Sequence, residues 1–163
     1  MAEKRIILKH DSHGDSRYAP KDTTFEQFHQ ANLSHINDVQ KVMNRLGFVL
    51  RAQGGNHDWT KLGLEKEFWT DFQDSLLHKA DFVNAWWYQK HVHIERHHPT
   101  SYCHDNIDLL DIIEMIVDCV CAGKARAGKI RPMEINDEIL KKAFNNTVKL
   151  IDDLTEVEDD GKK

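Results

Sequence analysis

Between about Ile107 and Ala125 the chain carries its most apolar run, with Leu109, Leu110, Ile112, Ile113, Met115, Ile116, Val117, Val120 and Cys121. Asp111, Glu114 and Asp118 interrupt it at three- and four-residue intervals. That spacing predicts a central helix with most of its surface buried and one stripe of carboxylates running along it. An ionised carboxylate is costly to bury without a partner. The fold must therefore bring hydrogen-bond donors, cations or a metal ion to this stripe, and few arrangements of the remaining residues can do so.

The other segments also read as helices. Thr23 followed by Glu26 has capping-box spacing, and Phe28, Ala31, His35, Val39, Val42, Leu46 and Val49 then recur every three or four residues. This predicts a long amphipathic helix, ended by Gly54-Gly55, whose buried stripe has His35 as its one polar member. A second helix begins near His57, bends or breaks at Gly63, and continues through Phe68, Phe72, Leu76 and Leu77. A third runs from about Ala80 through Phe82, Trp86, Trp87 and His91 until Pro99 forces a turn. A last one starts near Asp137 and uses Ile139, Leu140, Phe144, Val148, Ile151 and Leu154. No strand pairing is evident. The expected fold is all-α, a compact single-domain helical bundle, with residues 1–22 as an N-terminal arm and loop, 23–155 as the helical domain and 156–163 as a charged, frayed tail.

Composition narrows the function classes. With 163 residues, 30% charged and 40% hydrophobic, the chain has the balance of one folded globular domain. Its net charge is -5 and its lysines and arginines are scattered among acids, so duplex nucleic acid is not an expected partner. A negatively charged small molecule would have to be held locally, by a metal ion or a few placed cations. Cys103, Cys119 and Cys121 are odd in number, and two of them fall in the apolar run, so they read as reduced core thiols. No apolar stretch is long enough to cross a bilayer, and Met1 to Arg5 lead into only Ile6-Ile7-Leu8 before charge returns. A cytoplasmic location, no membrane contact and a small-molecule substrate are expected; association into a homo-oligomer stays open.

The strongest anomaly is the 11 histidines, with His91, His93, His97, His98 and His104 close together. His35, His57 with Asp58, and Asp118 fall on three helices at positions that helical spacing would bury. A lone buried histidine is most often a satisfied core residue. An imidazole and an adjacent carboxylate, completed by a distant His and Asp, make an N and O ligand set for a divalent transition metal such as Mn, Fe, Co, Ni or Zn. His91 and His98 lie seven residues apart on one helical stripe, which makes them further ligand candidates together with His97. Glu114, one turn before Asp118, reads as a hydrogen-bond partner of a ligating histidine. His10-Asp11 is also a His-Asp pair, but it sits in a turn-rich arm and reads as a solvated loop.

The order His35, His57-Asp58, Asp118 resembles that of the HD-domain superfamily of metal-dependent phosphohydrolases. More narrowly, His57-Asp58-Trp59-Thr60-Lys61 resembles the His-Asp-x-x-Lys of the HD-GYP branch, and Arg96-His97-His98 resembles that branch's later His-His pair, with His91 in the place of the intervening His. Pro99-Thr100-Ser101-Tyr102 departs from the Gly-Tyr-Pro segment of that branch. The pattern is also similar to that of small phage-associated HD-like proteins. The resemblance spans roughly residues 30 to 125, and it implies a centre of one or two divalent metals held by His35, His57, Asp58, His91, His97, His98 and Asp118.

The expected activity is hydrolysis of a phosphoester or phosphoanhydride in a nucleotide-type substrate. Asp58 would bridge metals or orient water, and Lys61, three residues on, would touch a phosphate oxygen. Two other readings compete with it: a di-iron oxygenase, as in another branch of the same superfamily, and a non-catalytic module that binds a nucleotide or a protein.

Overall fold

The computed structural model describes residues 5–158. Residues 159–163 of the expected tail and Met1 to Lys4 of the arm lie outside the described residues. Among the described residues the chain is all-α apart from one pair of short strands. Six α-helices among the described residues follow in order: α1 (Phe25–Asn56), α2 (Trp59–Gly63), α3 (Glu65–His78), α4 (Trp86–Ile94), α5 (Leu109–Ala127) and α6 (Asp137–Leu154). No helix among the described residues is long and apolar enough to cross a membrane.

Two compact units divide the chain. Unit 1 comprises the described residues up to Val49 and those from Val148 on, and unit 2 is Leu50–Thr147. The division falls inside α1 and α6.

In unit 1, α1 begins one residue later than the Thr23/Glu26 spacing predicts. The Thr23 hydroxyl is spent on the Pro20 carbonyl at 2.7 Å, so Thr24 becomes the cap. The Gln27 amide donates to Thr24 Oγ1 at 3.3 Å, and Gln27 Oε1 accepts from the Thr24 amide at 2.9 Å. Strands β1 (Ile6–Leu8) and β2 (Thr155–Val157) pair in parallel, with Ile6 opposite Thr155 and Leu8 opposite Val157. This corrects the expectation of an unpaired arm and tail. Three-residue strands are too short to show alternation, and their partner lies at the other end of the chain.

Gly54-Gly55 do not end α1, because neither adopts a positive φ. The helix runs to Asn56, and the chain turns at Asp58, whose φ of 56° and ψ of 28° are left-handed. In unit 2 the third helix is shorter than its periodicity predicts. Asp81 accepts from the Val83 amide and closes a 3-10 turn at Phe82–Asn84, so α4 starts only at Trp86. α5 is less buried than its apolar run predicts: Leu110, Ile112 and Met115 are buried, but Ile113, Ile116 and Val117 are exposed. Asp108 and Asp111 form its capping box, Gly128 ends it at φ 68°, and Ile112 and Met115 build the core with Ile107 and Ala143. The thiols are free as expected, but Cys121 is exposed rather than core.

Candidate metal centre

The centre is built in unit 2, where α1 gives way to α2, where α4 ends, and along α5. The three carboxylates on the α5 stripe all find partners, Asp111 in Arg96 and both Glu114 and Asp118 in His57. Asp111 is fully buried and holds Arg96, whose Nε lies 2.9 Å from Oδ1; Gln53 adds a longer bond to the same oxygen at 3.3 Å. Arg96 also binds the Asn106 side chain and carbonyl at 2.6 and 2.7 Å. One guanidinium therefore fixes the Glu95–His98 turn to the start of α5. Glu114 Oε1 lies 2.9 Å from His57 Nδ1 and 3.3 Å from His97 Nδ1. Asp118 Oδ1 lies 3.4 Å from His57 Nε2.

Supporting bonds determine which imidazole nitrogens face inward. The Thr60 hydroxyl has one hydrogen and donates it to Glu95 at 2.7 Å, so at 2.7 Å from His91 Nδ1 it must accept. His91 therefore carries its proton on Nδ1 and turns a bare Nε2 inward. Trp87 stacks on the same ring at 4.7 Å and 12°, and is itself stacked on Phe68. Glu114 accepting at Nδ1 of both His57 and His97 likewise leaves their Nε2 atoms inward.

Two groups of candidate ligand atoms result, Asp58 with His91, His97 and His98, and His57 with His97 and Asp118; in each, one ligand atom per residue lies within 4.8 Å of the others. Asp58 Oδ1 is 3.5 Å from His91 Nε2 and 3.4 Å from His97 Nε2, while Oδ2 is 3.2 Å from His57 Nε2. The left-handed backbone of Asp58 turns its carboxylate toward both groups. Such conformations are uncommon outside glycine, although Asp tolerates them better than most.

The donor set fits a divalent transition ion. Asp58 Oδ1 and His97 Nε2 are buried and have no hydrogen-bond partner. His91 Nε2 and His98 Nε2 face each other at 2.8 Å, where the bare His91 Nε2 accepts from His98 in its Nε2–H tautomer. Burial pushes His91 down to about 4 and His98 down to about 3, so both imidazoles are neutral and able to ligate at neutral pH. Burial opposes the charge on His97 too, but Asp58 and Glu114 outweigh it and raise that imidazole to about 9. It holds the positive charge that a metal would replace. Burial also opposes ionisation of Asp58, yet His97 and Lys61 beside it hold its carboxyl well below the ordinary range.

A cavity of about 310 Å³ opens beside this cluster, lined by Lys61, His91, His97, His98 and Asp118 among others. A second cavity of about 360 Å³ meets His57, Glu114 and Asp118 against apolar Leu50, Ile113 and Val117. A family model matches residues 24–156, most of the chain. The chain belongs to the family of unknown function DUF5662. Neither a search of curated proteins nor one of solved structures found a match.

The structure of this DUF5662 chain brings together six of the seven ligands expected from the sequence: His57, Asp58, His91, His97, His98 and Asp118. It brings His35 into neither group. In unit 1 that residue is exposed rather than buried, and it lines a cavity of about 590 Å³ with His10, Asp38 and apolar residues of α1. Lys61 is placed as the spacing predicts, except that its ammonium pairs directly with Asp58. Asp11 accepts from the amide and ring of His13 and holds a 3-10 turn at Ser12–Gly14. Glu114 makes the expected bond to a site histidine. Sequence reasoning missed Thr60, Glu95 and Arg96 as supports, since nothing in helical periodicity marks a residue that acts across the fold.

Proposed function

We propose that this protein is a metal-dependent phosphohydrolase acting on a nucleotide-type phosphoester or phosphoanhydride. One observation carries the reading: the buried ligand atoms Asp58 Oδ1 and His97 Nε2, which face each other at 3.4 Å without a hydrogen bond, converge with the neutral His91 and His98 at the edge of a cavity that Lys61 also lines. The resemblance of the His57-Asp58-Trp59-Thr60-Lys61 segment to HD-type phosphohydrolases agrees with it. Asp58 with His91, His97 and His98 would hold one divalent transition ion, and His57 with Asp118 would hold a second, the single lone pair of His97 Nε2 serving one of the two groups. A bound ion supplies Lewis acidity to a phosphoryl oxygen and lowers the pKa of water.

The protein's own groups do the rest. Asp58 offers one carboxylate oxygen to each ligand group and orients whatever they hold. Lys61, paired with Asp58, supplies positive charge where negative charge develops on a phosphoryl group. Glu114 and the Thr60–Glu95 pair fix the orientation of three imidazoles, and His97, held protonated by Asp58 and Glu114, would give up its Nε2 proton on ligation. Phe68, Phe82 and Trp87 shield one wall of the cavity from water.

The test is a phosphate-release screen over nucleotides and cyclic dinucleotides with added Mn, Fe, Co, Ni or Zn, with Asp58→Asn as control. Asn keeps the size of the side chain and tolerance of the left-handed turn while removing the charge. The variant is expected to lose its metal and at least a hundredfold in rate while retaining its helical content. No release with any metal would overturn the hydrolase reading, and product formed only with dioxygen would replace it with oxidation.

A further inference from the structure

The cavity beside the metal centre has a second, cationic wall that the proposed chemistry does not use. Arg126, in the last turn of α5, and Arg131, just beyond it, both line this cavity with Lys61 and the histidines. Lys61 is paired with Asp58. Among the described residues the side chains of Arg126 and Arg131 form no hydrogen bond or ion pair, although acids outnumber lysines and arginines 27 to 22 in the chain. Two unpaired guanidinium groups in one concave site of an acidic protein attract anions locally against the field of the whole molecule.

The backbone is arranged to put Arg131 there. Gly123 is buried on α5, and a Cβ at that position would lie 2.6 Å from the Lys129 carbonyl oxygen and 2.7 Å from the Arg131 amide nitrogen. Only the missing side chain lets the Lys129–Arg131 segment lie against α5 after the left-handed turn at Gly128. Thr100 and Ser101 add hydroxyl donors to the same cavity. Guanidinium groups bind phosphate through paired N–H donors, and free ones in a cavity are the usual means of holding a phosphoryl group that is not itself reacting.

We propose that Arg126 and Arg131 form an anion subsite for a second phosphoryl group, so that the centre selects molecules with a chain of two or more phosphates over monophosphates. The inference deepens the phosphohydrolase reading and rests on it for the identity of the first phosphate position. Both arginines are exposed, so their replacement spares the core.

The test measures binding by calorimetry on protein loaded with excess Mn, using inorganic phosphate and methylene diphosphonate, whose P–C–P link is not hydrolysed. The intact protein should prefer the diphosphonate, and Arg126→Ala and Arg131→Ala should each lower that preference about tenfold, with Arg131→Lys falling between. An unchanged preference in both alanine variants would overturn the subsite. If preference falls but no nucleotide releases phosphate, the subsite stands and the hydrolase reading fails. If phosphate is released and preference is unchanged, the subsite fails and the hydrolase reading stands.

Discussion

Thr60 is fully buried, and its single hydroxyl hydrogen decides which nitrogen of His91 faces the cavity. Thr60→Val keeps the shape and removes the hydroxyl, leaving the buried Glu95 carboxylate with only the residue-60 amide as donor. The expected outcome is a stability loss of about 1–3 kcal/mol in chemical denaturation, with metal affinity lower by about tenfold to a hundredfold in a metal titration. Thr60→Ser should restore most of both. An unchanged metal affinity in the valine variant would count against the relay through Glu95, Thr60 and His91. At this scale the ligand types were legible in the sequence, because a His-Asp doublet and a histidine cluster are rare enough to stand out. Their supports were not, because a threonine or an arginine among ordinary surface residues carries no mark of the partner it will meet.

At the scale of elements, Asp38 ties the chain after β1 to α1 within unit 1. Its carboxylate accepts from the Lys9 amide at 2.8 Å and pairs with the Lys41 ammonium at 2.8 Å. Burial opposes its charge, but Lys41 and the Lys9 amide outweigh burial and hold the carboxyl below its ordinary value. A depressed folded-state pKa contributes stability above the ordinary aspartate range of about 4, and that contribution is lost as pH falls through the folded value. Asp38→Asn should therefore be less stable than the parent by about 1 kcal/mol at neutral pH and converge with it in acid. Melting curves of the two proteins at several pH values check this, and a constant difference at every pH would refute it. The helices themselves were legible because burying one face imposes a period of three or four residues. Their ends were less so: competing side-chain bonds at Thr23 and Asp81 moved two starts, and a left-handed aspartate ended α1 where a glycine pair was expected to.

For the whole molecule, about two metal ions per chain are expected from metal analysis of the loaded protein, with the single lone pair of His97 Nε2 serving one of the two ligand groups. His91→Ala should bring the content towards one, since it removes a ligand from the Asp58 group and leaves His57, His97 and Asp118 intact; an unaltered content would remove His91 from the centre. Metal bound only by the folded state, at a hundred times its dissociation constant, adds roughly 2.7 kcal/mol, so a chelator should lower the melting temperature and deprotect amides around Asp58–Lys61 and His91–His98 in hydrogen exchange. By itself the sequence determined the all-α class and the need of α5 for compensated carboxylates, because hydrophobic period and the cost of burying charge are local properties that can be read along the chain. Tertiary structure alone decided that Arg96 and not a metal answers Asp111, that Arg126 and Arg131 share a cavity with the histidines, and that the arm and tail form a strand pair. Each of these depends on which residues far apart in the chain come within a few ångströms of one another, and helical spacing carries no information about that.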